Sequence, residues 1–66
     1  MRDLMDLVAD AARRQGFVVS VAKDRSSWRF HKDGHLLIVG VPEKPVHYMQ
    51  LRADLERMGM IWPFNH

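Results

Sequence analysis

The stretch KDRSSWRFHKDGHLLIVG, Lys23–Gly40, decides how this chain folds. Asp33-Gly34 near its centre is a strong hairpin signal, because a two-residue type I′ turn needs positive φ at both central positions. On either side, SWRFHK and HLLIVGV alternate apolar and polar residues, the mark of half-buried strands. The turn also fixes the register. Lys32 falls opposite His35, Phe30 opposite Leu37 and Trp28 opposite Val39, and directly opposed residues share a sheet face.

Upstream, FVVSVA (Phe17–Ala22) is β-branched and alternating, so it reads as a further strand. With KDRS as a four-residue loop, Val21 faces Trp28 and Val19 faces Phe30. One sheet face then carries Phe17, Val19, Val21, Trp28, Phe30, Leu37 and Val39. The outer face carries Val18, Ser20, Ser27, Arg29, His31, Leu36 and Ile38. Before the strands, DLMDLVADAARRQG places Leu4, Leu7, Val8, Ala11 and Ala12 at helical spacing. Asp3, Asp6 and Asp10 lie toward its positive end, Arg13 and Arg14 in its last turn, and Gly16 supplies a left-handed stop. After the strands, prolines bracket VPEKP, and Pro45 suits a first helical turn. VHYMQLRADLERM then repeats apolar residues at Tyr48, Leu51, Leu55 and Met58 before Gly59. The expected architecture is α+β, in the order α-β-β-β-α, a three-stranded antiparallel sheet with both helices packed on one face. The tail MIWPFNH, residues 60–66, is apolar but broken by Pro63. It is expected to lie against the body or a partner, with Trp62 and Phe64 available to complete the core.

Sixty-six residues make a single domain, 1–66, near the lower limit for a chain folding alone. Without cysteine there are no disulfides and no thiolate metal clusters, so the core rests on aliphatic and aromatic packing, helped by dimerisation. A composition 47% hydrophobic and 27% charged excludes a disordered chain. No apolar run approaches the roughly 18 residues of a membrane span, and MRDLMDLVAD is too acidic for a signal peptide. The expectation is a cytoplasmic protein that uses no membrane. Between Ala11 and His35, six basic residues stand against two acidic ones, whereas the remainder holds four basic and six acidic. A basic centre fits phosphate contacts, and it equally fits a solvated rim.

Arg13, Arg14, Lys23, Arg25 and Arg29 are the candidate nucleic-acid-binding residues, grouped around the end of the first helix, the KDRS turn and the outer sheet. Duplex RNA is read mostly by shape and by phosphate and 2′-hydroxyl contacts. Val18, Leu36 and Ile38 are the candidate interaction residues, because apolar side chains on an open sheet face call for a cover. That cover is a protein partner or a second copy, reached through the outer face or through an unpaired edge of the first or third strand. His31 and His35 fall on opposite faces and make a poor metal pair. His47 and His66 read as solvated. Neither a metal site nor a cofactor is expected.

This order of elements around this hairpin resembles the HicA family of small toxins, whose fold is similar to the double-stranded RNA-binding domain. AARRQGFVV resembles the end of that family's first helix, SSWRFHKDGHLLIVGVPEKP its central hairpin and proline-bearing loop, and LRADLERMGM its closing helix. The resemblance covers nearly the whole chain. It implies a ribonuclease acting on messenger RNA, paired with a HicB antitoxin, with its catalytic histidine in a glycine–serine–histidine motif opening the second strand. Set against RSSWRF, that motif puts Arg25 on the glycine, Ser26 on the serine and Ser27 on the histidine. A serine hydroxyl does not titrate near neutrality, whereas imidazole does and exchanges the ribose 2′-hydroxyl proton. His31 shares the strand parity of Ser27 but lies roughly 13 Å along the strand. The remaining catalytic alternative is a relocated site with His31 as base and Arg29 as phosphate holder. The segment PVHYMQ also lacks the lysine cluster by which RNA-binding relatives grip phosphate. The reading is a HicA-like domain without the family's chemistry that binds a protein partner, in a toxin–antitoxin or phage and mobile-element setting. Its alternatives are weak, salt-sensitive RNA binding and the relocated ribonuclease.

Overall fold

A computed structural model of the chain describes residues 3–62. Helix α1 spans Leu4–Arg14, β1 Val18–Val21, β2 Ser27–Lys32, β3 His35–Gly40 and α2 Pro45–Arg57. The strands form one antiparallel sheet in the order β1-β2-β3, so the fold is α+β with the order α-β-β-β-α. Asp33 and Gly34 both take positive φ, 51° and 82°, as the type I′ turn requires. The register follows from that turn. Lys32 pairs with His35, Phe30 with Leu37 and Trp28 with Val39, while across the other ladder Val19 pairs with Phe30 and Val21 with Trp28.

Phe17, Val19, Trp28 and Phe30 are buried in one cluster with Met5, Val8 and Ala12 of α1 and Leu51 and Leu55 of α2. Leu37, Val39, Tyr48 and Met58 pack against it, half-buried. Three residues depart from the sequence expectation. Val21 keeps 38% of its surface exposed, because it ends an edge strand and has a neighbouring strand on one side only. On α1 the buried stripe is Met5, Val8, Ala9, Ala11 and Ala12, leaving Leu4, at the first turn, 44% exposed and Leu7 half-buried. The small side chains of Ala9 and Ala12 are buried together with Val8, which turns the stripe from Leu4 toward Met5.

Both helices end in the same way. At α1, Phe17 N–H reaches Ala12 O and Gly16 N–H reaches Arg13 O; at α2, Met60 N–H reaches Leu55 O and Gly59 N–H reaches Glu56 O. These are paired Schellman bonds, which need the left-handed backbone found at Gly16 (94°) and Gly59 (99°). Each motif carries its following hydrophobe, Phe17 or Met60, into the core. Lys32, just before the hairpin turn, reaches both helix ends. A Cβ placed on Gly59 would lie 3.7 Å from Lys32 Nζ, and one placed on Gly16 would lie 4.0 Å from its Cε. The ammonium also sits 5.0 Å from the centre of the Phe17 ring. A cation placed among helix C-terminal carbonyls is stabilised by their summed dipoles.

Past α2, the Gln15 side chain grips the main chain of Ile61, accepting from its N–H at 2.7 Å and donating to its C=O at 3.1 Å. Trp62 packs on the core beneath Arg52, whose guanidinium lies 5.8 Å from the ring centre. The expected folding-back of the tail is thus met at Met60 and Trp62, whereas Phe64 lies outside the described residues.

Lys32→Met keeps the apolar stem and removes the charge. Urea unfolding is expected to show a loss of about 1 kcal/mol, shrinking as salt screens the helix termini. A variant as stable as the parent at low salt would remove Lys32 from this role.

Candidate functional site

The register sorts the outer face into cross-strand rows. Val18, His31 and Leu36 form the row nearest the hairpin turn, and Ser20, Arg29 and Ile38 the next. Ala22, Ser27 and Gly40 form the last, Ala22 being joined to Ser27 by an N–H to C=O bond of 3.0 Å. Val18, Leu36 and Ile38 are 68%, 56% and 57% exposed, so the face is apolar toward the hairpin and small toward the β1–β2 loop. Val18 on β1 and the Leu36–Ile38 pair on β3 thus present exposed apolar side chains on either side of Arg29 and His31 of β2.

Ser27 opens β2 on this outer face, half-buried. It lines a concavity of ≈ 330 Å³ together with Ser20, Val21, Ala22, Lys23 and Arg29. Neither Lys23 nor Arg29 has an ion-pair partner among the described residues, so the concavity combines two cations with two hydroxyls. That set suits an anion. No histidine or carboxylate lines the concavity, the side chains that most often serve as general base or general acid for ribose chemistry. His31 stands on the same face, two residues beyond Arg29, and lines none of this concavity.

The remaining arginines named from the sequence are placed elsewhere. Arg13 pairs with Asp10 at 3.2 Å and donates to Val19 O at 3.1 Å. Arg14 lies exposed in the last turn of α1. Arg25 pairs with Asp6 at 2.9 Å and Asp3 at 3.5 Å, with its guanidinium 5.1 Å from the Trp28 ring centre. The hydrogen bond and charge of Asp6 raise the Arg25 pKa further above its ordinary range. Arg25 therefore clamps the start of α1 to the β1–β2 loop. Lys23 and Arg29 come together at one site; Arg13 and Arg25 are occupied by carboxylates of the chain itself.

Arg25 also has φ 61°, in the left-handed region that favours glycine, at the position that the motif comparison aligned with a glycine. The loop turns there through an Arg25 N–H to Ala22 O bond of 2.8 Å. The Ser26 hydroxyl and then its N–H, at 2.7 and 3.0 Å, donate to Asp24 Oδ1 and lower that carboxyl's pKa. The help that this bond gives the loop is full above the unfolded carboxyl's pKa and fades as the pH falls through the lower folded value.

At the other side of the molecule His47 Nδ1 accepts the Glu43 N–H at 3.1 Å. His47 is thus a loop-to-helix fastener, a use visible in the sequence only as a histidine four residues after an acid near a proline-led helix. Among the described residues no three His, Cys, Asp or Glu side chains are grouped to hold a metal ion.

Replacing Arg25 separates its clamp from its backbone. Arg25→Ala loses the clamp and keeps the left-handed strain, whereas Arg25→Gly loses both. The glycine variant is expected to melt above the alanine variant by on the order of 5 °C. Equal melting temperatures would mean that the loop relaxes around residue 25. No family model matches this chain, and neither a search of curated proteins nor one of solved structures gave a match.

Proposed function

We propose that this chain is a non-catalytic, HicA-like domain that binds a protein partner through its outer sheet face. The observation that carries the reading is the exposure of Val18 on β1 and of Leu36 and Ile38 on β3, flanking Arg29 and His31 of the central strand on one face. Apolar side chains so arranged gain from being covered, at about 25 cal/mol per Å² of apolar surface removed from water. Arg29 and His31, set among them, give the surface polar contacts that orient a partner. Ser27, where the resembled family carries a histidine, supplies no proton transfer, which favours binding over cleavage. On this reading the domain acts in a toxin–antitoxin or mobile-element setting by occupying a partner of such systems.

A second reading rests on Lys23 and Arg29 beside Ser20 and Ser27. They support weak, salt-sensitive contact with an RNA phosphate. The relocated ribonuclease, with His31 as base, is the catalytic form of that reading.

Val18→Glu places a charge in the apolar surface on β1 and leaves Arg29 and His31 intact. A protein retained by the full chain is expected to be lost by Val18→Glu and kept by Glu43→Lys, an exposed change off the sheet, with far-ultraviolet circular dichroism unchanged in both. Retention by all three proteins would remove the outer face from partner binding. In parallel, RNA cleavage by the native chain that vanishes in His31→Ala would replace the binding reading with the relocated ribonuclease.

A further inference from the structure

The sheet has two edges, β1 and β3, and the structure treats them differently. In an antiparallel ladder, alternate residues send both backbone groups to the same side. The Ala22 N–H to Ser27 O bond shows that Ser27, and with it Arg29 and His31, point their backbone groups toward β1. Trp28, Phe30 and Lys32 therefore point theirs toward β3, where they meet Val39, Leu37 and His35. The same parity turns the N–H and C=O groups of Leu36, Ile38 and Gly40 outward, away from β2. On the β1 side the outward groups belong to Phe17, Val19 and Val21, and α1 takes two of them: Phe17 N–H goes to Ala12 O at 3.0 Å, and Arg13 donates to Val19 O at 3.1 Å. On β3, no hydrogen bond among the described residues reaches the outward groups of Leu36, Ile38 or Gly40. Nor does α2 seal this edge. Concavities of ≈ 340 and ≈ 360 Å³ open between β3 and α2, one beside Val39–Pro42 and the other beside His35–Leu37.

We propose that a second copy of this chain pairs antiparallel along the β3 edge, with Ile38 on the two-fold axis. Self-complementarity singles out this occupant. From His35 to Pro42 the chain has no Asp, Glu, Lys or Arg, so two copies meet without like charges and without the edge charges by which sheets repel one another. Pairing about Ile38 sets Leu36 of each copy against Gly40 of the other, a large side chain over an empty position. Gly40 has no need of its own to be glycine: it does not take positive φ, and a Cβ there would meet nothing nearer than Ser26 O at 3.9 Å. On the core side, Leu37 of each copy falls opposite Val39 of the other, bringing half-buried hydrophobes together. The register also sets each His35 against Val41, which keeps the two imidazoles at opposite ends. Six strands would then share one outer face. The pairing runs through the β3 backbone and shares Leu36 and Ile38 with the partner-binding face, so Gly40→Pro, which alters only the edge, and Val18→Glu, which alters only the face, tell the two apart.

Sedimentation equilibrium and amide hydrogen exchange on the full chain test it. The expected mass rises with concentration from 7.7 kDa to twice that value, and the Leu36, Ile38 and Gly40 amides become protected in step. Gly40→Pro removes an outward donor and no bond within the sheet, and is expected to weaken association at least about 100-fold. Ile38→Lys is expected to do the same by charging the edge, while Val18→Glu leaves association intact. A chain that stays at 7.7 kDa with rapidly exchanging Leu36, Ile38 and Gly40 amides at millimolar concentration would overturn the proposal. So would a dimer that Gly40→Pro and Ile38→Lys both leave unchanged, or edge protection that appears only when a different protein is added. Should Gly40→Pro fail to fold, the exchange measurement on the native chain decides alone.

Discussion

The left-handed pair at Asp33 and Gly34 is the constraint from which the rest of the structure follows. A side-chain period of two means that slipping the β2–β3 register by one residue would exchange every inner residue for an outer one. Trp28 and Phe30 would then face water, and Arg29 and His31 the core. Burying an unpaired guanidinium costs far more than exposing a phenyl ring, so the register is set locally by the turn and enforced globally by the core. The same parity decides which backbone groups point outward. The composition of each face and the choice of which β3 groups point outward are therefore both consequences of one two-residue turn.

The distribution of cations argues against reading the basic centre of the chain as a nucleic-acid surface. Lys32 lies near the ends of both helices, Arg25 holds the start of α1, and Arg13 covers a strand carbonyl. Arg14 lies exposed at the end of α1, and Lys23 and Arg29 stand beside a shared concavity. Two phosphate contacts to a single strand give a salt exponent near −1.4, so a fourfold rise in salt changes affinity by only about sevenfold. Proteins that bind through six to ten contacts change by roughly a thousandfold or more over the same interval. Under the proposed reading, contact with RNA through this concavity alone is weak, and the apolar outer face is the surface that favours a partner.

The turn, the register and the separation of inner from outer face were legible in the sequence because each depends on residues close along the chain. The buried stripe of α1 was not. Leu4, Met5, Leu7, Val8, Ala9, Ala11 and Ala12 satisfy helical spacing from more than one starting point, and only packing against the rest of the core chooses between Leu4 and Met5. The uses of Lys32 and Arg25 were hidden for a different reason. Counting charge along the chain shows a basic segment, but whether a cation meets a helix end or a carboxylate of α1 depends on contacts between residues far apart in sequence. Ser27 was placed correctly on the outer face by parity, while the company it keeps there, Ser20, Lys23 and Arg29, needed the β1–β2 pairing to become visible.

The difference between the two sheet edges has its origin in the connections. From α1 to β1 the chain passes through Gln15, Gly16 and Phe17, and the left-handed turn at Gly16 lays the end of the helix beside the strand it precedes. Ala12 O and Arg13 are thereby within reach of the outward groups of Phe17 and Val19. From β3 to α2 the chain passes through Val41, Pro42, Glu43 and Lys44 before Pro45 opens the helix. Neither proline has an N–H to give, and the His47 bond to Glu43 fastens the loop to α2 and not to the strand. The last turn of α1 faces one edge, while the first turn of α2 begins a loop's length from the other. A short glycine link covers part of one edge and a proline-bounded link leaves the other open, so the asymmetry belongs to the connecting sequence and not to the strands.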